Sequence, residues 1–414
     1  MIRFFHIADT HFGIENYGKI DQQTGIHSRL LDFNRSLEQC VDHAITEQID
    51  FLLFCGDAYK TANPTPTQQK LFAKQLLRLH GAKIPVIIVV GNHDHPLSFG
   101  KAHSLDVFSY LPFDGFYVLY KPEVLKLETK NGPVQIVGIP WPTRSNLIGV
   151  DQHRFKDNNE ITRYLSEKVG QIIQQLAQTL DPKVPSVLAA HLTVSNGIFS
   201  GSEKCAVFGN DPIFLPSQLA IQPFDYVALG HLHRHQNLNL GGIPVVYSGS
   251  IERIDFGERK EAKGFCRVTI DNKSTSKTCN YEFVEVPVRP MVQIEFDIVD
   301  GKDFTQQIID EIEKNDVTNA IVKILYRLPA GSNKKIDMFA ITRACSKAHF
   351  LAAVVPVFQP AVREKRAMLS VDMDFELLLE KYFETKDLDT QRKAVLLKKA
   401  QELQRLSESV AEDN

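Results

Sequence analysis

Seven side chains in the first 240 residues have the types and spacing of metal ligands. Asp9 and His11 stand two apart, so in an extended chain both point the same way. A carboxylate and an imidazole would then face one point. The plainer reading is a helix-capping Asp and an incidental His. Gly56-Asp57 ends an apolar run, where the carboxylate is either a turn residue or a ligand. In a central strand its two oxygens could bridge two cations. Gly91-Asn92-His93-Asp94 offers a neutral carbonyl oxygen at Asn92 and an adjacent imidazole that points elsewhere. Asp94 could orient the His93 ring, as carboxylates behind catalytic histidines do. A plain Asn/Asp-rich turn is the alternative. His191 closes an apolar run, where a lone His is often a hydrogen-bonded core residue. Gly230-His231-Leu232-His233 places two imidazoles in parallel, serving two metals, one metal or only the surface.

Together these residues predict a metal centre. Five run ends each deliver Asp, Asn or His, and ligands of open α/β sheets sit beyond the strand carboxyl ends. Mixed O and N donors without thiolate suit Mn, Fe or Zn, with Mn favoured by the carboxylate and carbonyl oxygens. Asp9, His11, Asp57, Asn92, His191, His231 and His233 are too many for one tetrahedral ion and fit two ions sharing Asp57. Two cations about 3.5–4 Å apart are the usual clamp for phosphoester displacement.

The elements that must position them are legible as continuous apolar runs. Ile2–Ala8, Phe51–Cys55, Pro85–Val90, Pro185–Ala190 and Tyr226–Leu229 read as strands buried on both faces and covered by helices. Val134–Ile139 and Pro244–Tyr247 add two more strands. Helical patterns lie between them, roughly Leu30–Gln48, Thr67–Leu79 and Thr162–Leu180. This alternation predicts α/β layering. Thirteen of 14 histidines precede residue 240, which puts the chemistry in that part. Near residue 285 the string VEVPVRP reads as a linker. Beyond it strand 292–298, helix 304–315, strand 320–328, helix 337–347 and strand 350–357 predict a small α+β domain. Phe375, Leu378, Leu379, Tyr382 and Phe383 follow helical spacing and form one apolar stripe. Asp389–Ser409 reads as a further, charged helical stretch, and Pro360–Met368 as a polar connector.

The five motifs, in this order, resemble those of the calcineurin-like metallophosphoesterase superfamily. Within it the chain resembles the SbcD and Mre-type nucleases. The start IRFFHIADTHFG, the Asn92-His93-Asp94 motif running on into His95-Pro96, the IPW segment and the small domain with a helical tail carry that likeness. The resemblance implies an α/β fold with a β-sandwich core flanked by helices. Residues 1–285 would form the nuclease domain, 286–370 a DNA-capping α+β domain and 371–414 a helical partner-binding tail. It implies a homodimeric, manganese-dependent enzyme acting on DNA ends and hairpins, partnered with the SMC-like ATPase SbcC. One metal would be bound by Asp9, His11, Asp57 and His233, the other by Asp57, Asn92, His191 and His231. His93, with Asp94, would be catalytic, His93 stabilising the transition state or protonating the leaving oxygen. Lys60 stands where some relatives carry a second histidine, and could contact phosphate as a point charge. Relatives pair helices across a two-fold axis, which places the dimer contact at Leu71, Phe72 and Leu76, with Leu105 and Phe108 on a second helix. Rival readings are a small-substrate phosphodiesterase or protein phosphatase, and a non-catalytic scaffold.

Composition narrows the rest. Across 414 residues, Lys+Arg 47 against Asp+Glu 50 gives −3, which excludes a polybasic nucleic-acid binder and makes any positive field local. No apolar run approaches about 18 residues, so no membrane span is expected. The first residues lack signal-peptide form. Six scattered cysteines without CxxC are expected as free thiols in a cytoplasmic protein. There is no GxxxxGK[ST], so ATP is not bound by a P-loop.

Overall fold

The computed structural model describes residues 1–96, 101–111, 114–143, 158–201, 211–271, 277–328, 335–358, 379, 382–383 and 390–412. Two six-stranded sheets carry the fold. The first contains β1 (Ile2–Ile7), β2 (Phe51–Phe54), β3 (Val86–Val89), β4 (Phe116–Leu119), β13 (Gly264–Asp271) and β14 (Thr278–Glu285) in the order β14-β13-β1-β2-β3-β4. The second contains β5 (Glu123–Thr129), β6 (Gly132–Ile139), β7 (Ser186–His191), β10 (Tyr226–Gly230), β11 (Gln236–Asn237) and β12 (Val245–Tyr247) in the order β11-β12-β10-β7-β6-β5. The motif-bearing strands run parallel: β1 to β2 to β3, and β7 to β10. A two-stranded ladder joins β8 (Thr193–Val194) to β9 (Ile213–Phe214).

Alternation along each strand explains why the runs are apolar on both sides. In β2, Phe51 and Leu53 face a core shared with the other sheet, where Val187, Ala189, Tyr226 and Ala228 meet them. Leu52 and Phe54 face the helices, packing with Phe33, Leu37, Phe72 and Leu76. β7 and β10 repeat this, sending Leu188, Ala190, Val227 and Leu229 toward Val169, Ile173 and Ala177. Helices therefore cover only one face of each sheet, and the partner sheet covers the other. This is the β-sandwich core flanked by helices that the resemblance implies.

The helices are α1 (Ser28–Glu47), α2 (Pro66–Gly81) and α3 (Asn158–Gln178). α1 starts two residues before the expected Leu30, because the His27 ring accepts the Arg29 N–H. α2 opens on a Thr65/Gln68 capping box with Pro66 in its first turn.

The side chains expected to form a two-fold contact are committed elsewhere. Phe72, Leu76, Leu105 and Phe108 lie in the core beneath α1 and α2, with Leu71 packed against it. The helix expected after Pro96 is a short 3-10 turn, Asp106–Tyr110.

Further along come β15 (Met291–Asp297), α4 (Phe304–Glu313), β16 (Ile321–Leu328), α5 (Met338–Ala344) and β17 (Phe350–Phe358), with sheet order β15-β16-β17. The chain divides into two compact units. One comprises Met1–Ile294, Ile308–Ile324 and Asp337–Val354, the other Glu295–Gln307, Leu325–Ile336 and Val355–Asn414. In the first unit, Met291, Ile321 and Phe350 pack with Phe256. In the second, α6 (Thr390–Glu412) covers most of the charged helical stretch. Of the apolar stripe, Leu379, Tyr382 and Phe383 are described; Phe375, Leu378 and the connector Pro360–Met368 lie outside the described residues. Among the described residues no helix is long and apolar enough to cross a membrane. Five described cysteines are free; Cys205 lies outside them.

Candidate metal centre

Parallel strands deliver the motif residues to one edge of the sandwich. The chain past β1 stays tied to the chain past β2: Asp9 N–H donates to Gly56 O at 3.0 Å and His11 N–H to Asp57 O at 3.0 Å. The turns are tight. Asp9, His11, Asp57 and His231 have φ of 54°, 42°, 59° and 107°, a region non-glycine residues rarely occupy. Such strain persists only where surrounding structure imposes it, and it concentrates at functional sites. Glycine before the Asn92 and His231 motifs has a spatial reason too. A Cβ at Gly91 would run into the Asp57 carboxylate, and one at Gly230 into Cys55 O.

The structure brings all seven expected ligands and His93 together. Donor atoms of Asp9, His11 and His233 lie within 4.8 Å of one another, as do those of Asp9, Asp57 and His191, and those of His11, Asp57 and His93. Asn92 Oδ1 is 2.9 Å from His191 Nε2 and 3.1 Å from His231 Nδ1. Asp57 Oδ2 lies between the clusters, 3.4 Å from His191 Nε2 and 3.7 Å from His11 Nε2.

Hydrogen bonds show that these atoms fit cations. His191 Nδ1–H donates to Cys55 O at 2.7 Å. In the neutral ring Nε2 then presents a lone pair to the Asn92 carbonyl oxygen, itself an acceptor. His233 Nδ1–H donates to Glu258 Oε1 at 2.9 Å, which turns its Nε2 lone pair toward His11 Nε2 at 3.0 Å. His231 Nε2 is buried and has no hydrogen-bond partner among the described residues. Acceptor facing acceptor needs a proton or a cation between them. Neutral imidazole, carboxylate and amide oxygen are the donor set that divalent metals take.

Charge is shifted accordingly. Burial alone would raise the Asp57 carboxyl, but His191, His93 and His11 outweigh it and hold it well below the usual carboxylate range. Burial pulls the His191 imidazole down, yet Asp57 and Asp9 lift it to about 9, so its Nε2 holds a proton between acceptors, the position a cation would take over. Burial holds His11 well below its ordinary value and His231 down to about 3, so both rings are neutral and have a lone pair to give.

His93 is half-exposed, and its Nε2 lies 4.0 Å from Asp57 Oδ2. Its ring is oriented not by Asp94 but by Lys60, whose carbonyl oxygen accepts from Nδ1 at 2.8 Å. Asp94 is fully buried and accepts from the N–H groups of Asp57 at 2.8 Å, Gly91 at 3.1 Å and Ala58 at 3.2 Å. It clamps the Asp57 turn to the Asn92 turn and is a positioning residue, not a catalytic one.

Two contributors escape a reading of the sequence. Glu258 is fully buried, with Oε2 2.8 Å from Lys263 Nζ and Oε1 on His233. It lies in an ordinary loop sequence, and only the fold brings it behind His233. Trp141 lies tilted at 35° against His231, ring centroids 4.9 Å apart. The IPW segment singles out Trp141 in the sequence, but not its place beside His231.

Strained turns after β1, β2 and β10 and N/O donors around Asp57 define a metal-dependent phosphoesterase site. The model of the calcineurin-like phosphoesterases matches residues 2–235, and the chain belongs to that family, whose members use divalent metal ions. Its sequence is similar to that of a subunit of the nuclease SbcCD from Staphylococcus epidermidis, 28% identical over 318 residues, 76% of this chain and 77% of that one. Among solved structures it matches a dimetal phosphatase from Danio rerio at 11% identity and TM-score 0.37, over 64% of this chain and 92% of that one. A predicted phosphoesterase from Streptococcus pneumoniae matches at 14% identity and TM-score 0.25, over 65% and 83%.

Proposed function

We propose that this protein is a manganese-dependent DNA nuclease, a 3'-5' double-strand exonuclease and a single-strand and hairpin endonuclease. It acts at DNA ends as the homodimeric, cytoplasmic nuclease subunit of a complex with an SMC-like ATPase of the SbcC type. The observation that carries this reading is the convergence of the seven N and O donors around Asp57. The similarity to a nuclease subunit of SbcCD supports it. Residues 286–370 act as the DNA-capping domain and 371–414 as the partner-binding tail.

Asp9, His11, Asp57 and His233 hold one ion; Asp57, Asn92, His191 and His231 hold the other. Divalent ions supply Lewis acidity and neutralise the charge of the phosphoryl oxygens. The chain's residues do the rest. Water adds to phosphorus, giving up a proton to solvent, as the bond to the leaving oxygen breaks. His93, anchored at Nδ1 by Lys60 O, would in its doubly protonated form give its Nε2 proton to the departing oxygen and regain one from solvent. Asp94 keeps the two loops in register.

Manganese-stimulated cleavage of linear duplex DNA, set beside hydrolysis of bis-p-nitrophenyl phosphate, tests this. Both activities are expected. Hydrolysis of the small ester with intact DNA under every metal would make the protein a small-substrate phosphodiesterase instead.

A further inference from the structure

Next to Asn92 and His93 opens a cleft of about 390 Å³, also lined by Lys60, Asn63, His95 and Lys101. Among the described residues no carboxylate lines it, in a chain whose acidic residues outnumber its basic ones. Lys60 and Lys101 are exposed and have no ion-pair partner among the described residues. Both sit on segments tied to the metal centre. Lys60 N–H donates to Phe12 O at 3.0 Å, and its carbonyl receives His93 Nδ1. Three residues after Lys101, Ser104 N–H donates to Asp94 O at 3.1 Å. The backbones that carry two lysines are thus anchored beside the metal centre while their charged heads stay in water at the cleft.

A single small phosphoester at the metals would not reach them. A polynucleotide carries a further phosphate on at least one side of the one being cut, and that phosphate can enter the cleft. At the small end of ligand pockets, roughly 300–1,000 Å³, the space suits one nucleotide unit.

We propose that this cleft is a strand-binding subsite in which Lys60 and Lys101 hold the DNA backbone phosphate next to the scissile one. The inference rests on the nuclease reading and adds to it the residues that make a polymer the preferred substrate. Lysine serves here as a point charge, contributing affinity without reading sequence.

The test is equilibrium binding of labelled duplex DNA with phosphorothioate linkages to the manganese-loaded protein, followed by anisotropy across a salt series. Each phosphate contact contributes about 0.9 to the slope of log K against log salt. Lys60→Gln with Lys101→Gln removes that one phosphate contact and should lower the slope by about 0.9 and raise Kd roughly tenfold at 0.1 M salt. Lys168→Gln with Lys183→Gln removes the same charge from exposed positions on and just beyond α3, and should keep the wild-type slope. A wild-type slope in the cleft variant, or an equal fall in the control pair, overturns the subsite while leaving the nuclease reading intact. Wild-type protein that binds no DNA would overturn both.

Discussion

At the scale of single residues, the centre depends on groups that touch no substrate. Glu258 fixes the tautomer and direction of His233, while Lys263 and the Ile254 N–H satisfy its other oxygen. Carboxylates behind a metal-binding imidazole typically contribute about 10–100-fold to metal affinity. Glu258→Ala should therefore weaken the ion at His233 by about that factor in calorimetric titration. Glu258→Gln, which still accepts from Nδ1–H, should recover part of the loss. Equal affinity in all three proteins would make Glu258 a packing residue only. His93 is the opposite case, since it lies beside the donor clusters yet half in solvent. His93→Leu should keep both ions and lose cleavage by about 10²–10⁴-fold, the usual value of general acid help. Single-turnover rates near wild type would remove His93 from the chemistry.

At the scale of elements, strand ends were legible because each apolar run stops abruptly at a polar motif. Helix ends were less so. Period alone puts the start of the second helix at Thr67, whereas the chain enters it at Pro66 behind Thr65. The reciprocal bonds are Thr65 N–H to Gln68 Oε1 at 2.9 Å and Gln68 N–H to Thr65 Oγ1 at 3.4 Å. Thr65→Ala should cost about 1 kcal/mol, read as a lower urea midpoint at unchanged m-value. The 3-10 turn Asp106–Tyr110 shows a different limit. Leu105 and Phe108 have helix-like spacing, but they insert into the core beneath α1 and α2 as a short wedge. An apolar pair cannot say by itself whether its own chain or a second copy will cover it.

At the scale of the whole molecule, the two sheets are joined by a buried polar link as well as by apolar packing. His6 of β1 is fully buried, 3.1 Å from Leu229 O through Nε2 and 3.2 Å from the Tyr226 hydroxyl through Nδ1. The neutral ring satisfies both, with Nε2–H donating and Nδ1 accepting. Burial pushes its pKa down to about 3 from 6.5. A histidine depressed in the folded state leaves stability whole above its unfolded pKa. That stability is lost as pH falls from 6.5 toward about 3, because the unfolded chain takes the proton first. At about 1.36 kcal/mol per unit, the wild type should lose roughly 3 kcal/mol more than His6→Gln between pH 6.5 and 4. Urea titrations of both proteins at the two pH values measure the difference. Parallel losses would mean that His6 is charged or hydrated in the fold.

The sequence alone determined the chemistry and the elements that bear it. Asp, Asn and His can be read as ligands because each follows an apolar run long enough for one buried strand. Chain order then sets which strand carries which motif. Three things were decided only by tertiary structure. One was which face of each sheet meets the other sheet, since a run apolar on both sides is silent about what covers either. Another was what Asp94 does: adjacency suggested His93, but a buried carboxylate goes to the nearest unsatisfied N–H groups, and the crossing of two loops supplies them. The last was the shell behind the ligands, Glu258, Lys263 and Trp141, brought to the centre from distant parts of the chain. Local periodicity does not encode contacts between residues so far apart, because they arise only when strands distant in the chain are laid side by side.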